Sequence, residues 1–172
     1  MTIIPAVLAD IPALALLVNA AYRGQGDNHQ EGWTSESHLI SGARTNAADI
    51  TQLLQAPHSV ILKGTDEDGQ LAGCVHLEKQ DNKLYLGLLS VRPARQGQGI
   101  GKHLLTAAID QAKKINCSTI HITVISARPE LIAWYERHGY QRTGEIQPFH
   151  HGEKFGVQKQ PLELVVLQKH II

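Results

Sequence analysis

The apolar positions of the chain follow two periods, one typical of helices and the other typical of strands. Apolar side chains recur three or four positions apart in residues 14–21 and again in residues 100–112. Each stretch is therefore predicted to form a helix with one apolar face. Between residues 118 and 125 apolar and polar side chains alternate, which is typical of a half-buried strand. The chain is therefore predicted to mix helices with a sheet.

The N-terminal part is predicted to open with a strand at residues 2–8, followed by a helix that Asp10 is positioned to cap. Thr34 or Ser35 is positioned to cap a second helix that runs through Ile40. The other predicted elements are a helix at 47–55, strands at 58–63, 71–78 and 83–91, a helix at 100–114, a strand at 118–125, a helix at 128–137 and strands at 140–146 and 162–168.

The order of these elements predicts how the strands pair. Short polar turns separate the strands at 58–63, 71–78 and 83–91, so these three are expected to form an antiparallel meander. A helix lies between the strands at 83–91 and 118–125, which favours a parallel pair.

Composition and charge narrow the class of protein. The 172 residues are 42% hydrophobic and 19% charged, as expected for one soluble globular domain. Sixteen basic and sixteen acidic side chains cancel, whereas a general nucleic-acid binder would carry a basic excess. The chain has no apolar segment of membrane-spanning length, and its two cysteines are typical of buried thiols in a reducing compartment. We therefore expect a cytoplasmic protein without a membrane or nucleic-acid partner.

A glycine loop at residues 96–101, with the sequence Gln-Gly-Gln-Gly-Ile-Gly, joins an apolar strand to a helix. Glycine tolerates positive φ and lets a ligand approach the backbone, and N–H groups at the start of a helix attract anions. The nucleotide P-loop is excluded because Gln96 and His103 occupy its glycine and hydroxyl positions. The dinucleotide-binding fingerprint is excluded because Lys102 occupies the position of its third glycine. The loop is a candidate phosphate-binding site of another kind.

The segment from Val91 to Gly101 resembles the acyl-CoA-binding motif of the GNAT N-acetyltransferase superfamily, Val-x-Pro followed by Gln/Arg-x-x-Gly-x-Gly/Ala. Tyr-Glu-Arg-x-Gly-Tyr at 135–140 resembles a second family element, Tyr-Glu-Lys-x-Gly-Phe. The resemblance implies that residues 1–172 form a single N-acetyltransferase domain. Its implied fold class is mixed α/β, with a central, mostly antiparallel sheet and helices on both faces.

The resemblance also implies acetyl-CoA as co-substrate. In the family, the loop amides hold the CoA pyrophosphate, and a backbone N–H near a bulge in the preceding strand stabilises the oxyanion of the transition state. The implied cofactor-binding residues are Leu89, Ser90, Val91, Gln96, Gly97, Gln98, Gly99, Ile100, Gly101, Lys102 and Arg128. Arg128 stands where relatives often carry Asn, so it either pairs with a CoA phosphate or lies on the surface.

Tyr135 is the implied catalytic residue. In the family this hydroxyl is often the general acid that protonates the departing thiolate. A phenol with a pKa of about 10 keeps its proton at neutral pH and can donate it. The alternative is that Tyr135 packs in the core and hydrogen-bonds the cofactor.

The sequence gives only weak signals for the residues that bind the acceptor and for the general base. By position, Tyr22, Arg23 and Trp33 are candidates to contact the acceptor, although Trp33 could equally anchor its loop to the core. Many relatives place a carboxylate on the strand equivalent to 83–91, but this chain has none there. The alternative bases are Glu31, Glu78, His150 and His151.

We therefore predict an acyltransferase that moves the acetyl group of acetyl-CoA to a primary amine, here of a small molecule, by direct attack through a tetrahedral intermediate. The ten histidines form no metal-binding motif, so no metal is expected. Three alternatives stay open: a catalytically silent CoA sensor or interaction module, a protein N-terminal or lysine acetyltransferase, and transfer of a longer acyl group. A homodimer formed by the late strands or the helix faces also stays open.

Overall fold

A computed structural model describes residues 1–24, 34–149 and 156–171 of the chain. The described residues form strands and helices joined by short turns. The helices are α1 (Ile11–Arg23), α2 (Ala47–Gln55), α3 (Ile100–Lys114) and α4 (Pro129–Arg137). The strands are β1 (Thr2–Pro5), β2 (Ile40–Ser41), β3 (Ser59–Thr65), β4 (Leu71–Gln80), β5 (Lys83–Val91), β6 (Thr119–Ile125), β7 (Gln141–Pro148), β8 (Val157–Gln158) and β9 (Glu163–His170).

Seven of these strands form one sheet in the order β1-β3-β4-β5-β6-β9-β7. Neighbouring strands are antiparallel, except that β5 and β6 run parallel, as expected for strands joined by a helix. Strands β2 and β8 form a separate antiparallel pair. The predicted mixed, mostly antiparallel sheet is confirmed.

Helices cover both faces of the sheet. The larger buried cluster contains Leu104 and Ala108 of α3 and Ile132 of α4, packed on one face. A second cluster joins Leu14 of α1 and Ile50 of α2 to the other face. The apolar stripes predicted on α1 and α3 are the buried faces of those helices. None of the helices in the described part of the chain is long and apolar enough to cross a membrane.

The parallel pair of strands separates soon after it begins. Strands β5 and β6 pair only through Lys83–Tyr85 and Thr119–His121. Further along β5, Leu88 and Leu89 together face Val75 of β4, which is a β-bulge, and Leu88 adopts a φ of +50°. Because the two strands diverge there, a gap opens in the sheet.

The predicted second helix through Ile40 is wrong. Residues 34–36 are irregular, residues 37–39 form a turn, and Ile40 pairs with Gln158 in the short β2–β8 ribbon. The side chain of Glu36, near the start of the predicted helix, is instead buried in ion pairs with two arginines. These long-range contacts outweigh the weak helical preference of this polar segment.

The predicted role of Asp10 is also wrong, because its side chain does not cap α1. The carboxylate accepts the backbone N–H of Val7 at 2.8 Å and pairs with Lys63 at 2.8 Å. Strand β1 accordingly ends at Pro5, and a short 3-10 turn leads into the helix.

Candidate active site

Two cavities meet where β5 and β6 separate. The first, here called the loop cavity, has a volume of about 680 Å³ and is lined by the glycine loop, the end of β5 and α4. The second, here called the strand cavity, has a volume of about 380 Å³ and is lined chiefly by β5, β6 and residues near the end of α1. The residues that line both cavities are Tyr22, Leu89, Arg128, Leu131 and Tyr135.

The loop cavity brings together most of the predicted cofactor-binding residues. Those that line it are Leu89, Val91, Gln96, Gly97, Gly99, Ile100, Gly101, Lys102 and Arg128. Two predicted residues do not line it. The buried Ser90 hydroxyl donates to the Leu88 carbonyl at 3.0 Å, and the exposed Gln98 side chain accepts a hydrogen bond from Arg95 at 3.1 Å.

The conformation of the loop leaves the start of α3 open to a ligand. Gly97 and Gly99 adopt φ values of +80° and +82°, which residues with a Cβ rarely adopt. Gly99 is the N-cap residue of α3, and no side chain caps the helix there. The first N–H groups of the helix are thus not used by a cap and are suited to an anion.

Tyr135 lies on α4 at the junction of the two cavities. Its ring is buried and makes edge contacts with the rings of Trp134 and Tyr140, at centroid distances of 5.0 and 5.5 Å. Burial raises the pKa of the Tyr135 hydroxyl well above its ordinary value. The hydroxyl therefore remains protonated at neutral pH and is available as a proton donor.

Arg23, Glu36 and Arg128 form a buried cluster. Arg23 Nε donates to Glu36 Oε1 at 2.8 Å, and Arg128 Nη1 donates to Glu36 Oε2 at 3.3 Å. Arg128 Nη2 also donates to the hydroxyl of Thr34 at 3.0 Å. Arg128 thus does not lie on the surface, which was one of its two predicted positions. Glu36 was missed because nothing local in the sequence marks it.

Of the predicted acceptor contacts, Tyr22 lines both cavities and Arg23 lines the strand cavity. The Tyr22 ring lies 5.2 Å from the guanidinium carbon of Arg44 and 5.9 Å from that of Arg128, within the range of cation–π contacts. Burial raises the pKa of the Tyr22 hydroxyl to about 12. Trp33 lies outside the described residues.

Two aromatic residues of the strand cavity were not singled out from the sequence. Tyr85 of β5 and His121 of β6 pack edge to face with ring centroids 5.5 Å apart. Burial lowers the pKa of His121, and the positive charge of Lys83 lowers it further. The alternation at residues 118–125 had already placed His121 on the polar face of its strand, and this pattern could have identified it.

The bases suggested by the sequence are not brought into the site among the described residues. Glu78 lies on β4 and lines neither cavity. Glu31, His150 and His151 lie outside the described residues. Within residues 1–24, 34–149 and 156–171, no three His, Cys, Asp or Glu side chains form a group that could hold a metal ion.

The buried cluster leads to a stability prediction. Glu36→Gln removes the charge that both arginines contact, and we expect it to lower the free energy of unfolding by about 2 kcal/mol. Glu136→Gln is the control, because the ion pair of Glu136 with Arg142 is exposed and 4.0 Å long. Urea unfolding of both variants tests this, and equal stability losses would contradict it.

Comparisons with known proteins identify the family to which the chain belongs. The Acetyltransferase (GNAT) family profile matches residues 27–140. Acetyltransferase Atu2258 of Agrobacterium fabrum is 36% identical over 70 residues, which cover 41% of this chain and 50% of that protein. N-acetyltransferase family 8 member 7 of Mus musculus is 27% identical over 119 residues, which cover 66% of this chain and 52% of that protein. The chain spans about half the length of these curated relatives.

Solved structures show the same fold. The ribosomal-protein-S18-alanine N-acetyltransferase of Escherichia coli superimposes with a TM-score of 0.71 at 19% identity, covering 99% of this chain and 93% of that one. The ribosomal-protein-alanine N-acetyltransferase of Brucella melitensis gives a TM-score of 0.73 at 22% identity, covering 99% and 100%. With the profile match over most of its length, the chain belongs to the GNAT family of acetyltransferases.

Proposed function

We propose that the protein binds acetyl-CoA in the loop cavity and transfers the acetyl group to a primary amine of a small molecule in the strand cavity. The observation that carries this proposal is the junction of the two cavities at Tyr135 and Leu89, beside the bulge in β5. A thioester that enters from the glycine loop and an amine that enters from the other cavity would meet there. The volume of the strand cavity, about 380 Å³, suits a small acceptor.

Each part of the transfer has a candidate group in the chain. The open N-terminus of α3 and the N–H groups of residues 96–102 would hold the pyrophosphate. Backbone N–H groups near Leu89 would face the oxyanion that forms when the amine attacks the carbonyl. Tyr135 would donate its proton to the thiolate as the carbon–sulfur bond breaks. The neutral amine that attacks loses one proton as the thiol gains one, and an amine that arrives as ammonium first releases a further proton to solvent.

We further propose that His121 takes the proton of the amine, directly or through a water molecule. His121 lines the strand cavity, and its Nε2 lies 3.1 Å from Oε1 of Gln80. In the tautomer that donates from Nε2 to this carbonyl oxygen, Nδ1 keeps the lone pair that a base requires. The lowered pKa of His121 leaves the ring neutral at pH 7, as a base requires.

The role of His121 predicts a pH dependence. Because its pKa is lowered from 6.5, the ring gains a proton only on the acid side of that value, and kcat of the wild type at saturating acceptor should fall there. We expect His121→Gln to lower kcat roughly 100-fold and to lack this acid limb. Initial rates from pH 5 to 9 test it. An unchanged acid limb in the variant would show that another group is the base.

We also propose a cytoplasmic location, which the two free and buried cysteines, Cys74 and Cys117, support because such thiols are typical of a reducing compartment.

The experiment that tests the proposed function is CoA-thiol release from acetyl-CoA across a panel of primary amines. Release that depends on one acceptor class would support it. Tight acetyl-CoA binding without release by any amine would contradict it and favour a silent CoA sensor.

A further inference from the structure

We propose that the acceptor carries an anionic group a few bonds from its amine, as an α-amino acid does, and that the cluster of Arg23, Glu36 and Arg128 binds this group. The inference rests on the proposed function and names the substrate class of the same site. It follows from the charges and the unused hydrogen-bond donors of the strand cavity.

The cluster contains one positive charge in excess. Arg23 and Arg128 share the single carboxylate of Glu36, at 2.8 and 3.3 Å. The three side chains are only 1%, 5% and 5% exposed, so water does little to screen them. A guanidinium group keeps its positive charge throughout the physiological pH range. A second carboxylate would therefore neutralise the cluster.

The cluster also has donors without an acceptor. Among the described residues, neither Nη2 of Arg23 nor Nε of Arg128 has a hydrogen-bond partner, although both atoms are buried. Buried arginine donors are normally paired, and the planar guanidinium group matches a carboxylate or phosphonate well. Both arginines line the strand cavity, so a ligand there can supply the missing acceptor.

The position of the cluster relates the anion to the amine. Arg128 and Tyr22 line both cavities, whereas Arg23 and Arg44 line only the strand cavity. An acceptor whose anion contacts these guanidinium groups can thus extend its amine toward the junction at Tyr135. The same positive charges would repel a polyamine, which brings a second cation in place of an anion.

Matched acceptors test the inference. We would measure kcat/KM for α-amino acids, for their carboxamides, for aminophosphonates of the same length and for diamines. We expect each amino acid to exceed its carboxamide by roughly 100-fold when kcat/KM is expressed per neutral amine, because the amide lacks the charge that the arginines would bind. The aminophosphonates distinguish a carboxylate-specific site from a general anion site. Calorimetry of the same compounds with the CoA-bound protein provides a readout that does not depend on turnover.

A variant separates the charge effect from folding. Arg44 lines the strand cavity but is only half-buried, whereas Arg23 is almost fully buried, so Arg44→Glu is less disruptive than a change of Arg23. We expect it to reduce the acid-to-carboxamide ratio roughly 10- to 100-fold. Arg142→Glu, a change of an exposed arginine on β7, is the control and should leave the ratio unchanged.

The possible outcomes separate this inference from the proposed function. Equal or better turnover of carboxamides or diamines would overturn the anion site and leave acetyl transfer intact. If no acceptor is turned over, calorimetry decides, and failure of every amino acid and aminophosphonate to bind the CoA complex would also overturn the anion site. Failure to bind acetyl-CoA at all would instead overturn the proposed function.

Discussion

Replacement of Gly97 by Glu is expected to weaken acetyl-CoA binding by roughly 100-fold. Gly97 lines the loop cavity, and a Cβ built on it meets no atom within 4 Å, so the new side chain has room. Its carboxylate would lie close to the bound pyrophosphate. At about 5 Å and an effective dielectric constant of about 20, each pair of like charges costs about 3 kcal/mol.

Gly69→Glu is a matched control for the backbone of Gly97. Gly69 has a φ of +76° against +80° for Gly97, and its Cβ would also meet nothing within 4 Å, but it lines neither cavity. Both variants should lose a similar stability, about 1 kcal/mol, from the strained φ. Calorimetric titration with acetyl-CoA should then show wild-type affinity in Gly69→Glu. Wild-type affinity in Gly97→Glu would exclude this loop as the pyrophosphate site.

Tyr135→Phe is expected to lower kcat by roughly 100- to 1,000-fold while acetyl-CoA affinity changes little. The phenyl ring preserves the edge contacts with Trp134 and Tyr140, but the thiolate loses its proton donor. Because burial raises the pKa of Tyr135, the wild-type hydroxyl should cause no alkaline loss of kcat below pH 9. Single-turnover rates and calorimetry together separate the chemical step from binding.

Tyr140→Phe is the control for the loss of a buried tyrosine hydroxyl. The Tyr140 hydroxyl is buried with no hydrogen-bond partner among the described residues, and its side chain lines neither cavity. Its removal should leave kcat unchanged and stabilise the protein by about 1 kcal/mol. A wild-type kcat in Tyr135→Phe would show that this residue packs in the core and is not the general acid.

Local sequence patterns predicted the bounds of several helices and strands well. Helix α2, strand β5 and the end of α3 lie at the predicted bounds, and the parallel pairing of β5 with β6 is confirmed. These features depend on residues within a few turns of one another and on one topological rule. The roles of the cofactor-binding residues, and a single domain over residues 1–172, stay predictions.

The segment at 34–40 shows where local patterns fail. Thr34 and Ser35 resemble helix caps, yet the Thr34 hydroxyl donates to Glu130 at 2.6 Å. Ile40 pairs with Gln158 instead of completing a helical turn. A capping residue has the same local sequence whether its hydroxyl bonds the next turn or a distant side chain. Only the tertiary contact distinguishes the two.

The sequence by itself determined the family, the glycine loop and the position of Tyr135, because these are short motifs whose residues are neighbours in the chain. The tertiary structure alone decided that Arg23, Glu36 and Arg128 form one buried cluster. Arg128 and Glu36 are 92 positions apart, and a pair so distant leaves no periodicity in the chain. The excess positive charge of the cluster, on which the proposed acceptor class rests, matters only because folding removes these side chains from water.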